Sequence, residues 1–178
     1  LSRPWRHGEA EDLTGVTVYH LHAAGPAPFA DPEHDGRFRS VSLFTGAPLR
    51  GAIAEGRADF VPIFLSDIPG LFLSGHVKLD AALLSLSVPD RHGFCTLGTS
   101  VDAARAAADT ATLVIAEVNT QMPRTRGNVV VPVSRLDAFI ANDRALHEHT
   151  PAPETEIEGA IGELIADMIE DGSTLQMG

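Results

Sequence analysis

The stretch 112–133 constrains the fold more than any other part of the chain. It opens with a continuous apolar run, 113–116, of the kind that suits a strand covered on both faces. It then turns polar at Glu117, Asn119 and Gln121, breaks at Pro123, and returns to an apolar run at 129–133. A buried strand that ends in amide and carboxylate side chains sets them at the edge of a sheet. In open α/β sheets the carboxyl edge of the strands is where ligands bind. The spacing fits equally well a turn whose backbone groups Asn119 and Gln121 satisfy, and it does not choose between the two.

Around this stretch, strand and helix patterns alternate. Residues 16–22 alternate in polarity and read as a strand, with His20 and His22 on one face. A Pro-, Gly- and Asp-rich loop over 24–40, pinned by Phe29 and Phe38, leads to a short strand at 41–44. A helix over 49–55 closes on Gly56, a strand covers 59–65, and a short helix covers 68–74. A buried run spans 79–87, the turn signal Pro89-Asp-Arg-His-Gly93 follows, and 94–97 reads as an edge strand. Ser100 is placed to cap an alanine-rich helix over 102–109, and Ser134 to cap another reaching Ile140. Residues 147–155 read as a linker. The clearest helix is 156–170, where Ile157, Ala160, Ile161, Leu164, Ile165, Met168 and Ile169 recur at three- and four-residue steps. A strand starts at 173–178. This rhythm predicts an α/β fold, a mainly parallel sheet covered by helices.

The length, 178 residues, suits one domain with a real core. With 13 Lys+Arg against 24 Asp+Glu the net charge is −11, which argues against nucleic acid and against anionic membrane surfaces as partners. No apolar run reaches the roughly 20 residues of a membrane helix. The single cysteine, Cys95, cannot form an internal disulfide, and a cytoplasmic setting fits best. Leu1 in place of Met, and a stop at Gly178 within a glycine-ended motif, predict that both ends are cut.

No dinucleotide or Walker-type glycine loop is present. Gly98-Thr-Ser-Val-Asp102 lacks the second glycine of a nucleophile elbow. Cys95 reads as a small half-buried filler and His92 as a surface turn residue. The His20/His22 pair lacks a third ligand at suitable spacing, so no metal site is expected.

Five phrases then point one way. They are Gly25-Pro-Ala-Pro-Phe29, Glu55-Gly-Arg-Ala-Asp-Phe-Val-Pro-Ile-Phe-Leu-Ser-Asp-Ile-Pro69, Val88-Pro-Asp-Arg-His-Gly-Phe94, Ala116-Glu-Val-Asn-Thr-Gln-Met-Pro-Arg-Thr125 and Asp171-Gly-Ser-Thr-Leu-Gln-Met-Gly178. In order and spacing the chain resembles the acetyl-CoA hydrolase/transferase family, which includes acetate and 4-hydroxybutyrate CoA-transferases, from about residue 14 to 178.

The resemblance implies a CoA-transferase-like (NagB/RpiA-like) domain, the N-terminal of two related α/β halves. The region 147–178 would be a linker, a helix and a first strand leading to the second half. It implies acyl-CoA:carboxylate CoA transfer between a short acyl-CoA donor and a short carboxylic acid, with coenzyme A as substrate and no cofactor. In such chemistry a glutamate carboxylate attacks the thioester, forms an acyl-glutamyl anhydride and releases CoA thiolate. The thiolate then attacks the glutamyl carbonyl, and an incoming acid takes CoA by the reverse route. In relatives that glutamate lies downstream of the motif ending here at Gly178, and no glutamate of this chain, Glu117 included, matches it. No catalytic residue is therefore expected in these 178 residues. The resemblance places Gln176 in the acyl pocket, and Asn119, Gln121, Met122 and Pro123 near it. Arg124 could meet a CoA phosphate, a substrate carboxylate or only a surface carboxylate. Hydrolysis of acetyl-CoA, and a non-catalytic role completing another chain's site, remain the alternatives. Self-association, or pairing with the second half, is expected of an exposed docking face.

Overall fold

The structure is a computed structural model that describes residues 13–22, 25–148 and 151–176. The chain divides into two units, Leu1–His147 and Glu148–Gly178.

In the first unit, β1 (Val16–His20), β2 (Phe38–Ser42) and β3 (Ala58–Phe60) form a parallel sheet in the order β1-β2-β3. β4 (Ala81–Ser87), β6 (Leu113–Asn119) and β8 (Ala138–Asn142) form a second parallel sheet in the order β4-β6-β8. Between these strands in sequence lie β5 (Phe94–Thr96) and β7 (Val130–Pro132), which pair with each other antiparallel. The expected single sheet is therefore two three-stranded parallel sheets and a two-stranded ribbon, within the expected α/β class.

The helices are α1 (Arg50–Ala54), α2 (Ile68–Leu73) and α3 (Asp102–Thr110). Alanine-rich α3 buries Ala106 and Ala108, and its lack of bulk lets a helix lie close against its neighbours. Ala106 packs with Leu43, Ile68 and Phe72, while Ala108 belongs to the larger core of Leu84, Leu86, Cys95, Leu97, Val114 and Val131. α3 thus has a residue in each core.

Several expectations are corrected. The helix from Ser134 to Ile140 is instead a 3-10 turn, Val133–Arg135, followed by β8. Long-range pairing decides this: β8 runs beside β6, and the Asp137 carboxylate accepts the Val114 N–H at 2.8 Å. Ser100 caps nothing; α3 begins at Asp102, whose own carboxylate takes the Ala103 N–H. The run 113–116 is covered on one face only. Val114 and Ala116 are buried, while Leu113 and Ile115 are 47% and 38% exposed. Phe38, assigned to a loop, opens β2. Cys95 is fully buried rather than half-buried.

In the second unit, α4 (Glu156–Ala166) starts from a reciprocal cap. The Thr155 hydroxyl accepts the Glu158 N–H, and the Glu158 carboxylate accepts the Thr155 N–H at 2.8 Å. It ends one turn earlier than its periodicity suggests, and its apolar stripe (Ile157, Ile161, Leu164, Ile165) is exposed. No strand forms over 173–176. The readings that fall on 1–12, 23–24, 149–150 and 177–178 lie outside the described residues.

Candidate functional site

The carboxyl end of β6 carries the expected polar set, and β8 supplies its partners. Asn119 is buried, and its side chain works on the backbone. Oδ1 accepts the Gln121 N–H at 2.9 Å, and Nδ2 donates to the Arg144 carbonyl at 2.9 Å. Its amide therefore shapes the turn and ties the segment after β8 to it. Gln121 is exposed and donates to the Asp143 carboxylate at 2.7 Å, an oxygen that the Thr120 hydroxyl also reaches. These two donors hold the Asp143 carboxyl below the ordinary carboxylate range.

Glu117 lies two residues before Asn119 and so on the same face of β6. Arg144 clasps its carboxylate through Nε at 2.9 Å and Nη2 at 3.1 Å, and the Asn142 amide also donates to it. The guanidinium contact is the main reason that the Glu117 carboxyl titrates below its usual value. Asn142, Asp143 and Arg144 carry no sequence signal of their own, lying between the stretch read as a helix to Ile140 and the linker from 147. Adjacency of β8 to β6, rather than any local motif, brings them here.

Met122, Arg124 and Thr125 form a clasp. Met122 is buried against Gly98, a glycine at φ +64°, so close that a Cβ there would collide with the Met122 sulfur. Arg124 donates through Nη1 to the Val88 carbonyl at 3.0 Å and the Phe94 carbonyl at 2.9 Å, and its Nη2 reaches Asp90 at 3.3 Å. The Asp90 carboxylate in turn accepts the His92 and Phe94 N–H groups; these bonds, the one from Phe94 foremost, together with Arg124 depress its pKa. The Thr125 hydroxyl donates to the Gly98 carbonyl at 3.0 Å. The phrases 88–94 and 116–125 are thus locked to each other in space. Pro123 stands exposed within that clasp. Gln176 is exposed in the second unit, in the segment after Gly172.

At the carboxyl edge of the other sheet, His20 meets the Ser40 hydroxyl at 2.9 Å and the Phe29 ring edge-on at 5.6 Å. Burial, with His22 nearby, lowers its pKa. His22 instead meets Phe44, their ring centres 4.5 Å apart and the rings tilted by 45°. The two histidines thus serve separate contacts, and among the described residues no three His, Cys, Asp or Glu side chains converge as a metal site. No helix among them is long and apolar enough to cross a membrane.

These groups hold and orient more readily than they attack. The Glu117 carboxylate is paired, the Ser87 hydroxyl is buried against Thr96, and burial pushes the Cys95 thiol pKa upward. The strand end of β6 therefore presents amides and carbonyls held by hydrogen bonds.

Residues 6–148 match the acetyl-CoA hydrolase/transferase N-terminal domain. A succinyl-CoA:acetate/propanoyl-CoA:succinate CoA transferase of Fasciola hepatica is 50% identical over 170 residues, 95% of this chain and 35% of that protein. A 4-hydroxybutyrate coenzyme A transferase of Clostridium kluyveri is 39% identical over 94% of this chain and 39% of its own length. The chain therefore spans well under half of the curated relatives it matches. Among solved structures, RipA from Yersinia pestis superposes with a TM-score of 0.85 at 28% identity, covering 94% of this chain and 41% of that one. A 4-hydroxybutyrate CoA-transferase from Porphyromonas gingivalis gives a TM-score of 0.68 at 31% identity, over 95% of this chain and 46% of that one. On the match of its residues 6–148 and on these relatives, this chain belongs to the acetyl-CoA hydrolase/transferase family.

Proposed function

We propose that this chain is the N-terminal α/β half of an acyl-CoA:carboxylate CoA-transferase, acting on a short acyl-CoA and a short carboxylic acid. The observation that carries the reading is the match of residues 6–148 to the family's N-terminal domain, joined to relatives named as CoA transferases that align over 94–95% of the chain. CoA enters as substrate, without a cofactor, and the enzyme works in the cytoplasm as an oligomer or with its second half in place.

In this reading the 178 residues bind and orient while the attacking glutamate comes from elsewhere. Glu117 is not assigned that role, because Arg144 and Asn142 already occupy its carboxylate. Gln176, in the second unit, is the amide offered to the substrate carboxylate or carbonyl. In the first unit, Asn119, Gln121, Met122 and Pro123 are the substrate-binding residues at the end of β6. Region 147–178 is the connection toward the second half. The family description also supports a second reading, in which water replaces the acceptor acid and acetyl-CoA is hydrolysed.

A coupled assay on this chain and on the intact polypeptide that carries it tests the proposal. Acetyl-CoA is the donor, short acids are the acceptors, and a reaction without acceptor reports hydrolysis. Transfer by the intact protein alone is the expected result. Turnover by the 178 residues alone would overturn the assignment of the nucleophile to another segment.

A further inference from the structure

The two ends of the Gln121 amide are not equivalent. Its nitrogen donates to the Asp143 carboxylate at 2.7 Å. An ionised carboxylate only accepts hydrogen bonds, so the amide must turn its nitrogen toward Asp143 and its oxygen away. The acceptor is itself fixed. The Thr120 hydroxyl donates to the same Asp143 oxygen, and these two donors keep the carboxyl ionised at neutral pH. Asn142 Oδ1 accepts the Asp143 N–H at 2.7 Å and the Arg144 N–H at 3.0 Å, and buried Asn119 donates to the Arg144 carbonyl. Among the described residues no donor reaches the Gln121 amide oxygen. Charge at this strand end points the same way. Over 117–121 and 142–144 the charged side chains are Glu117, Asp143 and Arg144. Glu117 and Arg144 pair with each other, which leaves the negative charge of Asp143 beside the amide. The second hydrogen of the Gln121 nitrogen lies next to that charge, so a carboxylate or phosphate approaching it is repelled.

We propose that Gln121 meets the substrate through its amide oxygen and recognises an uncharged hydrogen-bond donor, a hydroxyl or an amide N–H, and that Asp143 is the positioning residue that sets this polarity. The inference rests on the CoA-transfer reading, in which Gln121 binds substrate. It adds which end of the amide is offered, and it turns Gln121 away from the substrate carboxylate and the phosphates of CoA. A donor of this kind has two sources in such a reaction. One is a hydroxyl on the acid that takes up CoA, and the other is an amide N–H of the pantetheine arm. A site built to accept a hydrogen bond discriminates against a partner that cannot donate one.

The test uses the intact polypeptide and compares wild type with Gln121→Met, Asp143→Ala and Asp143→Asn. Two quantities are read, kcat/KM for acetyl-CoA and kcat/KM for 3-hydroxypropanoate as acceptor. Each is divided by kcat/KM for propanoate, so losses common to the whole enzyme cancel. A pantetheine N–H shows in the first ratio and a hydroxyl in the second. The expected result for Gln121→Met is a fall of about fivefold to tenfold in one of them, the worth of one neutral hydrogen bond. Asp143→Ala lowers the same ratio about twofold to threefold, because the freed amide then faces either way. Asp143→Asn still offers an acceptor oxygen and recovers most of that loss. Gln121 is exposed, so its replacement leaves the core intact and decides the matter if Asp143→Ala does not fold. A wild-type enzyme that transfers CoA, with both ratios unmoved in Gln121→Met, overturns the assignment. A rise of either ratio in Asp143→Ala also overturns it, since Asp143 would then be competing for the useful end of the amide. A wild-type enzyme that transfers no CoA to any acid overturns the functional reading, and this assignment falls with it.

Discussion

The sulfur of Met122 occupies the space where a side chain at Gly98 would begin. The pair joins the turn after β6 to the turn after β5, and it makes glycine at 98 a requirement of packing as well as of backbone. The φ of +64° already disfavours any residue with a Cβ, and Met122 is buried behind it. Gly98→Ala is expected to cost about 2–4 kcal/mol, from backbone strain and overpacking together. Met122→Ala costs a comparable amount by leaving a cavity. The double variant should be less destabilised than the sum of the two, because removing the thioether clears the space the new methyl needs. Urea denaturation of all four proteins gives the coupling. Strict additivity would mean that the two residues do not share this space.

Arg124 is the next constraint on the same turn. Its guanidinium donates to two carbonyls, of Val88 and Phe94, and reaches Asp90. Lysine cannot reproduce that fork, so Arg124→Lys should behave nearly as Arg124→Ala, each costing about 1–2 kcal/mol. The loss should be local, and hydrogen exchange checks it. The amide of Phe94, which bonds to the Asp90 carboxylate, should exchange faster in either variant while amides of β4 keep their protection.

What was legible beforehand follows from how local each signal is. Helix α3 and strands β4 and β6 were placed to within a residue or two, because their patterns are complete within the segment. β8 was not. Its run of alanine, phenylalanine and isoleucine fits a helix or a strand, and pairing with β6, some 20 residues away in sequence, settles which. The same non-local adjacency hid Arg144 and Asp143, the partners of Glu117 and Gln121. The family phrases name residues but not what each side chain contacts. Of the side chains nominated on the spacing of strand-end amides, Asn119 holds the turn through both ends of its amide, and Gln121 stands exposed. Burial is what separates them, and burial is a property of the packed chain.

Cys95 gives a chemical check on the core. The residue is fully buried between β4 and the ribbon partner β7, and burial raises its thiol pKa, so the reactive thiolate is scarce at neutral pH. Alkylation of the native chain at pH 7.5 should be slower than that of the urea-unfolded chain by at least about a hundredfold, tracking the opening of the core. Rapid labelling of the native protein, at a rate independent of denaturant, would contradict this placement of β5.

Acid stability should follow the paired carboxylates, and Glu117 is the one to isolate. Its folded pKa is depressed, chiefly by the Arg144 hydrogen bond and then by Asn142. A depressed carboxylate contributes stability that is fully present above its unfolded pKa, about 4.3, and is lost as the pH falls through the lower folded value. The unfolded state binds the proton first on the way down, so stability declines with acidification. The chain should hold its stability from neutrality to about pH 5 and lose it progressively below about pH 4. Asp90 and Asp143 contribute in the same direction. Glu117→Gln removes the titrating group while keeping its shape. It should lower stability at pH 7 and flatten the acid limb, so that the difference between variant and wild type shrinks as the pH falls toward 3. Thermal melts at stepped pH measure that difference directly. A gap that stayed constant from pH 7 to pH 3 would show that the Arg144–Glu117 pair is not coupled to folding.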